Sequence, residues 1–402
     1  MTFHVRFPCY FLRHVLYCII REAMILANLL DYLDWRGDIP FSVDPFNEID
    51  GLLLAQFGYL PLEGVVPANF TVRMSIFEAH RHYQPDAVAE NRRITTFEQD
   101  SELFSKLAES ERFRRAQLTG YVTRTDTAAQ AQFSALTILL EDGTTFISFR
   151  GTDNTLVGWK EDMNLSYMQQ TGSQSDALAY LNDHFRAHPR PLRIGGHSKG
   201  GNLSVYAAAF CDPSIRSRIL SVQSYDGPGF REEIVDTPEY RTILPKLRSY
   251  IPESSVVGLL LNTQAEHTII KSSASGLMQH MAYSWELVRN RFVIAEELSR
   301  SGALFQKALT SWISQFEDEE RKELIEAVFG VLEASEAETF SEIGKSKRTA
   351  YPAMFRAVRE LTPEQQKLLR QALKRIAISG KDAVLNEPSD GKTHDRPAQE
   401  MA

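Results

Sequence analysis

The strongest constraint on how this chain can fold is a run of seven residues near its middle, Gly195-Gly196-His197-Ser198-Lys199-Gly200-Gly201. It follows a short apolar β-type run at 192–194 and leads into a helical stretch at 202–210 that stops near Pro213. A serine in G-x-S-x-G between strand and helix sits on a tight turn. Small flanking residues let the turn close, and the hydroxyl projects above the sheet. The amide of Lys199 then points, at the positive end of the helix, toward the place where an oxyanion would form. Adjacent side chains on such a turn diverge. The Lys199 side chain is therefore expected at the surface and not in a Ser-Lys dyad.

The sequence around this turn reads as an α/β fold. The β pattern is expected from about residue 132, with runs at 133–140 and 144–149 separated by the hairpin signal Glu141-Asp142-Gly143. A strand at 219–225 ends in Asp226-Gly227-Pro228-Gly229, and weaker strands follow at 247–251 and 268–270. Strands alternating with helices predict a mainly parallel sheet covered by helices on both faces. Helices are expected N-terminally at 24–34, in a stretch through Phe57 opened by Asp44-Pro45, and at 86–118. C-terminal helices are expected at 301–315, at 318–334, and after the capping box Thr362-Pro363-Glu364-Gln365, the last ending at Gly380. The predicted division is an N-terminal helical region (24–119), an α/β-hydrolase-like core (120–300), a helical appendage (301–380) and a polar, disordered tail (381–402).

Composition excludes several functions. The net charge of −8 argues against a nucleic-acid partner, which needs a basic face to displace counterions. Three cysteines, Cys9, Cys18 and Cys211, have no metal-type spacing and imply a reducing compartment, hence the cytoplasm, without disulfides. No P-loop, dinucleotide fingerprint or metal spacing occurs, so no cofactor is expected. Residues 5–23 are apolar in patches but broken by Arg13, His14 and Arg21, too short to span a bilayer. We read residues 1–23 as an extension outside the fold, the alternative being a weak membrane or interface helix, and expect no integral membrane segment.

A second motif, Ser148-Phe149-Arg150-Gly151-Thr152, stands at the end of a hairpin strand, where another oxyanion donor belongs. F-R-G-T, then Trp159 and Asp162, then G-H-S-K-G-G resembles the class 3 lipases, the fungal lipase-like branch of α/β-hydrolases. Longer segments are similar to a bacterial family known as DUF2974 or Mbeg1-like. They include DYLDWRGD from Asp31, PFNEIDGLLLAQFGYL from Pro45, SYDGPGF from Ser224 and MQHMAYSWEL from Met278. That resemblance covers roughly residues 27 to 345 and names no activity.

A base must lie downstream of the serine. His280 precedes an aromatic-Trp pair as the lipase histidine does, and is preferred to His267, which follows Glu266 in an exposed-looking turn. His394 lies in the tail. His197 is expected to pack under the elbow, with His184 and His188 solvated. For the acid the lipase pattern breaks: Ser255 stands where the aspartate would be. The nearest carboxylates are Glu253 and Asp226. Asp226 is preferred because it ends a strand at the sheet edge that carries Ser198; the alternative is that it only caps its own turn. Trp159 and Leu156 would be a short lid or simply core. The expected chemistry is carboxylic-ester hydrolysis of a lipid or acylated small molecule. Ser198 attacks, His280 and Asp226 support it, and the amides of Lys199 and Thr152 hold the oxyanion. Thioester or amide hydrolysis, acyl transfer, and an inactive scaffold remain alternatives.

Overall fold

The computed structural model describes residues 27–84, 96–300, 302–303, 315–372 and 374. The N-terminal extension, most of the helix expected at 301–315, and the tail lie outside them.

An eight-stranded sheet forms the centre, with strands in sequence order: β1 (Met74–Ser75), β2 (Gln117–Asp126), β3 (Ala131–Leu139), β4 (Thr145–Phe149), β5 (Leu192–His197), β6 (Ile219–Tyr225), β7 (Leu247–Pro252) and β8 (His267–Ile270). β1 to β4 pair antiparallel, and β4 to β8 pair parallel. The expected α/β architecture is thus present, with two strands that the sequence reading missed, the short β1 and the long β2. β2 carries a bulge between Thr119 and Val122, where Gly120 has φ of 62°. The extra residue breaks the alternation by which a half-buried strand is recognised.

Period-two alternation sends each strand's side chains to opposite faces. Leu136, Ile138, Phe146, Tyr225 and Tyr250 join one core with α1 (Leu29–Arg36), α2 (Glu48–Phe57) and α4 (Phe97–Glu109); α3 (Ile76–His82) lies between them in sequence. Phe133, Ala135, Ile147, Phe149 and Val222 join the other core with α6 (Gly172–Phe185) and α7 (Lys199–Phe210). The N-terminal helices therefore cover a face of the sheet. α2 opens at Asn47, not at Asp44-Pro45. The Asn47 side chain accepts the Ile49 and Asp50 amides, and Asp50 accepts the Asn47 amide. α5 (Leu156–Asn164) leaves the end of β4, and α8 (Asp318–Glu333) packs on it. α9 (Phe340–Lys345) and α10 (Lys347–Glu360) follow. The capping box at Thr362 forms as expected, starting a helix over 363–372. Among the described residues no helix is long and apolar enough to cross a membrane.

Candidate active site

The parallel strands end where α7 begins, and Ser198 occupies the single position between β5 and α7. Its φ of 59° and ψ of −134° fall in a region costing on the order of 1–3 kcal/mol for a residue with a Cβ. The turn is held by the Ser198 amide donating to the Tyr225 carbonyl and the Gly201 amide donating to the Ser198 carbonyl, both at 2.9 Å. A Cβ on Gly200 would run into the Phe149 carbonyl, so only glycine lets α7 seat this close to β4. Lys199 is the first helical residue, and its amide has no intrahelical acceptor.

The F-R-G-T segment lies against this turn. A Cβ added to Gly151 would stand 3.0 Å from that of Ser198, so Thr152 follows directly beside the serine. Thr152 Oγ1 and Asp162 Oδ1 are buried next to each other, and neither has another partner. Burial raises the Asp162 carboxyl to about 6, against the lowering pull of Lys199 and the neighbouring Thr152 hydroxyl.

His280 ends a short 3-10 turn, Gly276–His280, and its Nδ1–H donates to Asp226 Oδ2 at 2.6 Å. Asp226 is fully buried, with φ of 50° just past the end of β6. Its second oxygen accepts the Ser255 hydroxyl and, at 3.0 Å, the Gly258 amide. The residue at the expected acid position thus supports the carboxylate one strand away. Glu253 makes no hydrogen bond or ion pair with His280 among the described residues.

Three further contacts pin the His280 turn. Trp285 Nε1–H donates to the Gln279 carbonyl at 2.8 Å, and Tyr283 donates to buried Asp100, whose carboxyl burial raises to about 7. His197 lies ring against ring with His280, centroids 4.6 Å apart, and its Nε2–H donates to the His280 carbonyl at 2.8 Å. The Tyr59 hydroxyl donates to His197 Nδ1 at 3.2 Å. Burial, and then the nearby His280, lower the His197 pKa to about 3, so the ring is neutral and its two nitrogens keep these separate roles. Tyr59 lies in the family-like segment that starts at Pro45, but nothing in that segment marks it as a site residue, and the fold brings it here.

Lys199 departs from expectation. Its side chain is 1% exposed, donating to Glu161 Oε2 at 2.8 Å and to the Gln132 carbonyl at 2.9 Å. Glu161 also accepts the Gln132 and Ser173 amides and the Ser173 hydroxyl. Burial pushes Glu161 upward, but Lys199 and these donors hold it below the usual carboxylate range. The ammonium does leave Ser198, as divergence on the turn requires, but it leaves into the protein.

One cavity of about 360 Å³ gathers these groups. Ser198, Thr152, Lys199, Asp162 and His280 line it, with Trp159, Met163, Leu260 and Met281 as apolar wall. Phe316, Leu324 and Ile325, from α8 and the residue pair before it, close the far side. The appendage therefore shapes the site, which the sequence reading did not foresee. Leu156 is core, packed with Ile343 and Ala350, whereas Trp159 remains 42% exposed. His267 lies away from this cavity. It begins β8, half-buried and not in a turn, and shares a hydrogen bond with Ser249 at 2.9 Å. His184 is exposed and stacks on Phe70, while His188 is half-buried, with Nδ1 accepting the Arg190 amide. His394 falls outside the described residues. Among the described residues no cluster suits a metal ion.

No curated protein matches the chain. Among solved structures it is similar to the Rhizomucor miehei lipase propeptide complex, at 16% identity and a TM-score of 0.30 over 38% of this chain and 57% of that one. It is similar to a lipase designated M37, at 16% identity and a TM-score of 0.34 over 52% and 68%. The third likeness is to the extracellular lipase LipA from Serratia marcescens, at 13% and 0.28 over 51% and 38%. The chain thus spans little more than half the length of the Rhizomucor protein. The family model described as Mbeg1-like matches residues 107–330, more than half of the sequence, and the chain belongs to the Mbeg1-like family.

Proposed function

We propose that the protein is a serine hydrolase that cleaves carboxylic esters through an acyl-enzyme. The observation that carries this reading is the His280–Asp226 hydrogen bond beside a strained serine in one apolar cavity. Asp226 fixes the Nδ1–H tautomer and leaves Nε2 as the base. Ser198 Oγ attacks the ester carbonyl as His280 takes its proton. The carbonyl oxygen, now negative, is held by the amides of Lys199 and Thr152. The tetrahedral species collapses, and the leaving alkoxide takes the proton back from His280. Water, deprotonated by the same ring, then attacks the acyl-enzyme and frees the acid and Ser198. A cavity of about 360 Å³ with a largely apolar wall suits an acyl chain more than a charged group.

Turnover on p-nitrophenyl esters of increasing chain length tests this. Ser198→Ala and His280→Ala are expected to lose several orders of magnitude, and His267→Ala little. Full activity in Ser198→Ala would place the nucleophile elsewhere. Thioester, amide and acyl-acceptor substrates in parallel separate the other acyl chemistries of the same site.

A further inference from the structure

The chain's charge is unevenly spread. The whole molecule carries −8, yet from Lys345 to Lys374 eight lysines and arginines stand against only Glu360 and Glu364. Half of these cations lie on α10. This helix buries Ala350 against Leu156 and Ile343, with Met354 half-buried beside it. Among the described residues the opposite side has no such cover. Arg348, Tyr351, Phe355 and Arg359 are spaced three and four apart, which puts them in one stripe on a helix. All four are exposed, and so are Lys347, Pro352 and Arg356 around them.

Tyr351 and Phe355 are 52% and 60% exposed, one turn apart. The Arg359 guanidinium lies over the Phe355 ring at 4.8 Å. Lys347, Arg348, Arg356 and Arg359 form no ion pair among the described residues. The next helix adds Lys367 and Arg370, also exposed. Two aromatic rings left more than half in water forgo much of the stabilisation that burial would give. Like charges placed beside them repel one another unless an anionic partner is present.

Aromatic and cationic side chains on one convex helix face match an anionic lipid surface. The rings enter the headgroup boundary and the cations meet phosphates. A nucleic acid would favour a groove that clasps stacked bases, whereas these side chains stand on the exposed side of a single helix. The preceding helix, α9, reaches the cavity wall: Phe340 contacts the Trp159 ring edge-on at 5.8 Å. We propose that this face of α10 docks the protein on anionic bilayers. The proposal stands independently of the hydrolase reading.

Co-flotation of the full chain with vesicles tests it, using phosphatidylcholine alone or mixed with phosphatidylglycerol. Binding is expected only to the mixed vesicles and is expected to fall with added salt. Arg348→Gln and Arg359→Gln should each weaken it about fivefold. Phe355→Ser should weaken it as well, with ester turnover in solution unchanged. Ser198→Ala should bind as the native protein does, which separates this result from the catalytic one. Equal binding to neutral vesicles would overturn the proposal, as would indifference to all three substitutions. So would binding that emerges only after residues 375–402 are removed, or retention of single-stranded RNA without vesicle binding.

Discussion

Lys199 follows Ser198 directly in the chain, yet its ammonium points into the protein and meets Glu161 Oε2 at 2.8 Å. Gln132 on β3, Glu161 on α5 and Ser173 on α6 all take part in the same cluster. The first turn of α7 is thereby tied to the sheet and to the helix that lines the cavity. A buried pair in which both carboxylate oxygens accept hydrogen bonds and the ammonium donates two holds this geometry, but it need not add net stability.

Breaking the pair is therefore expected to cost more than replacing it. Glu161→Ala strands a buried ammonium and should lower unfolding stability by about 3–5 kcal/mol in urea titrations. The double change Glu161→Leu with Lys199→Met should recover most of that loss. The depressed Glu161 pKa sets the pH sense. Its contribution is complete above the ordinary glutamate value of about 4.3 and is lost as pH falls through the lower folded value. Native stability should fall more steeply than that of the double variant as the pH drops below about 4.

Asp226→Asn is expected to lower kcat by about 10⁴-fold, because the amide no longer fixes the His280 tautomer or supports its charge. Thermal stability should change little, since the remaining oxygen can still accept from Ser255 and Gly258. Ser255→Ala, which removes one donor to Asp226, should have a smaller effect. Glu253→Gln should be mild. Early melting of Asp226→Asn with full activity in its folded fraction would reduce Asp226 to a turn residue.

Much of this arrangement was legible in the residues. Gly196 to Gly200 between a β-run and a helix pointed to the elbow, and Gly151-Thr152 at a strand end pointed to its neighbour. Asp226 could be singled out because Ser255 cannot carry charge where an aspartate was expected. The buried Lys199 could not be read, because its partner Glu161 comes from a helix whose packing no local pattern states. Tyr59 and the apolar wall from α8 were illegible for the same reason. They reach the site only through long-range packing, and a leucine or phenylalanine facing a cavity has the same periodicity as one facing core. β2 was hidden by its bulge at Gly120.

Thr152→Val removes a buried hydroxyl that lies beside Asp162 but keeps the amide. If the hydroxyl turns to the oxyanion, kcat should fall about ten- to a thousandfold with KM nearly unchanged. An unaltered kcat would leave the amide as the sole contribution of Thr152.

The central claim is that Ser198 is an assembled nucleophile, and labelling by a fluorophosphonate probe with mass-spectrometric mapping tests it most directly. The account predicts a single phosphonylated residue, Ser198. Labelling should disappear in Ser198→Ala and slow by orders of magnitude in His280→Ala. Absence of labelling in the folded native protein, or a modified residue other than Ser198, would contradict it.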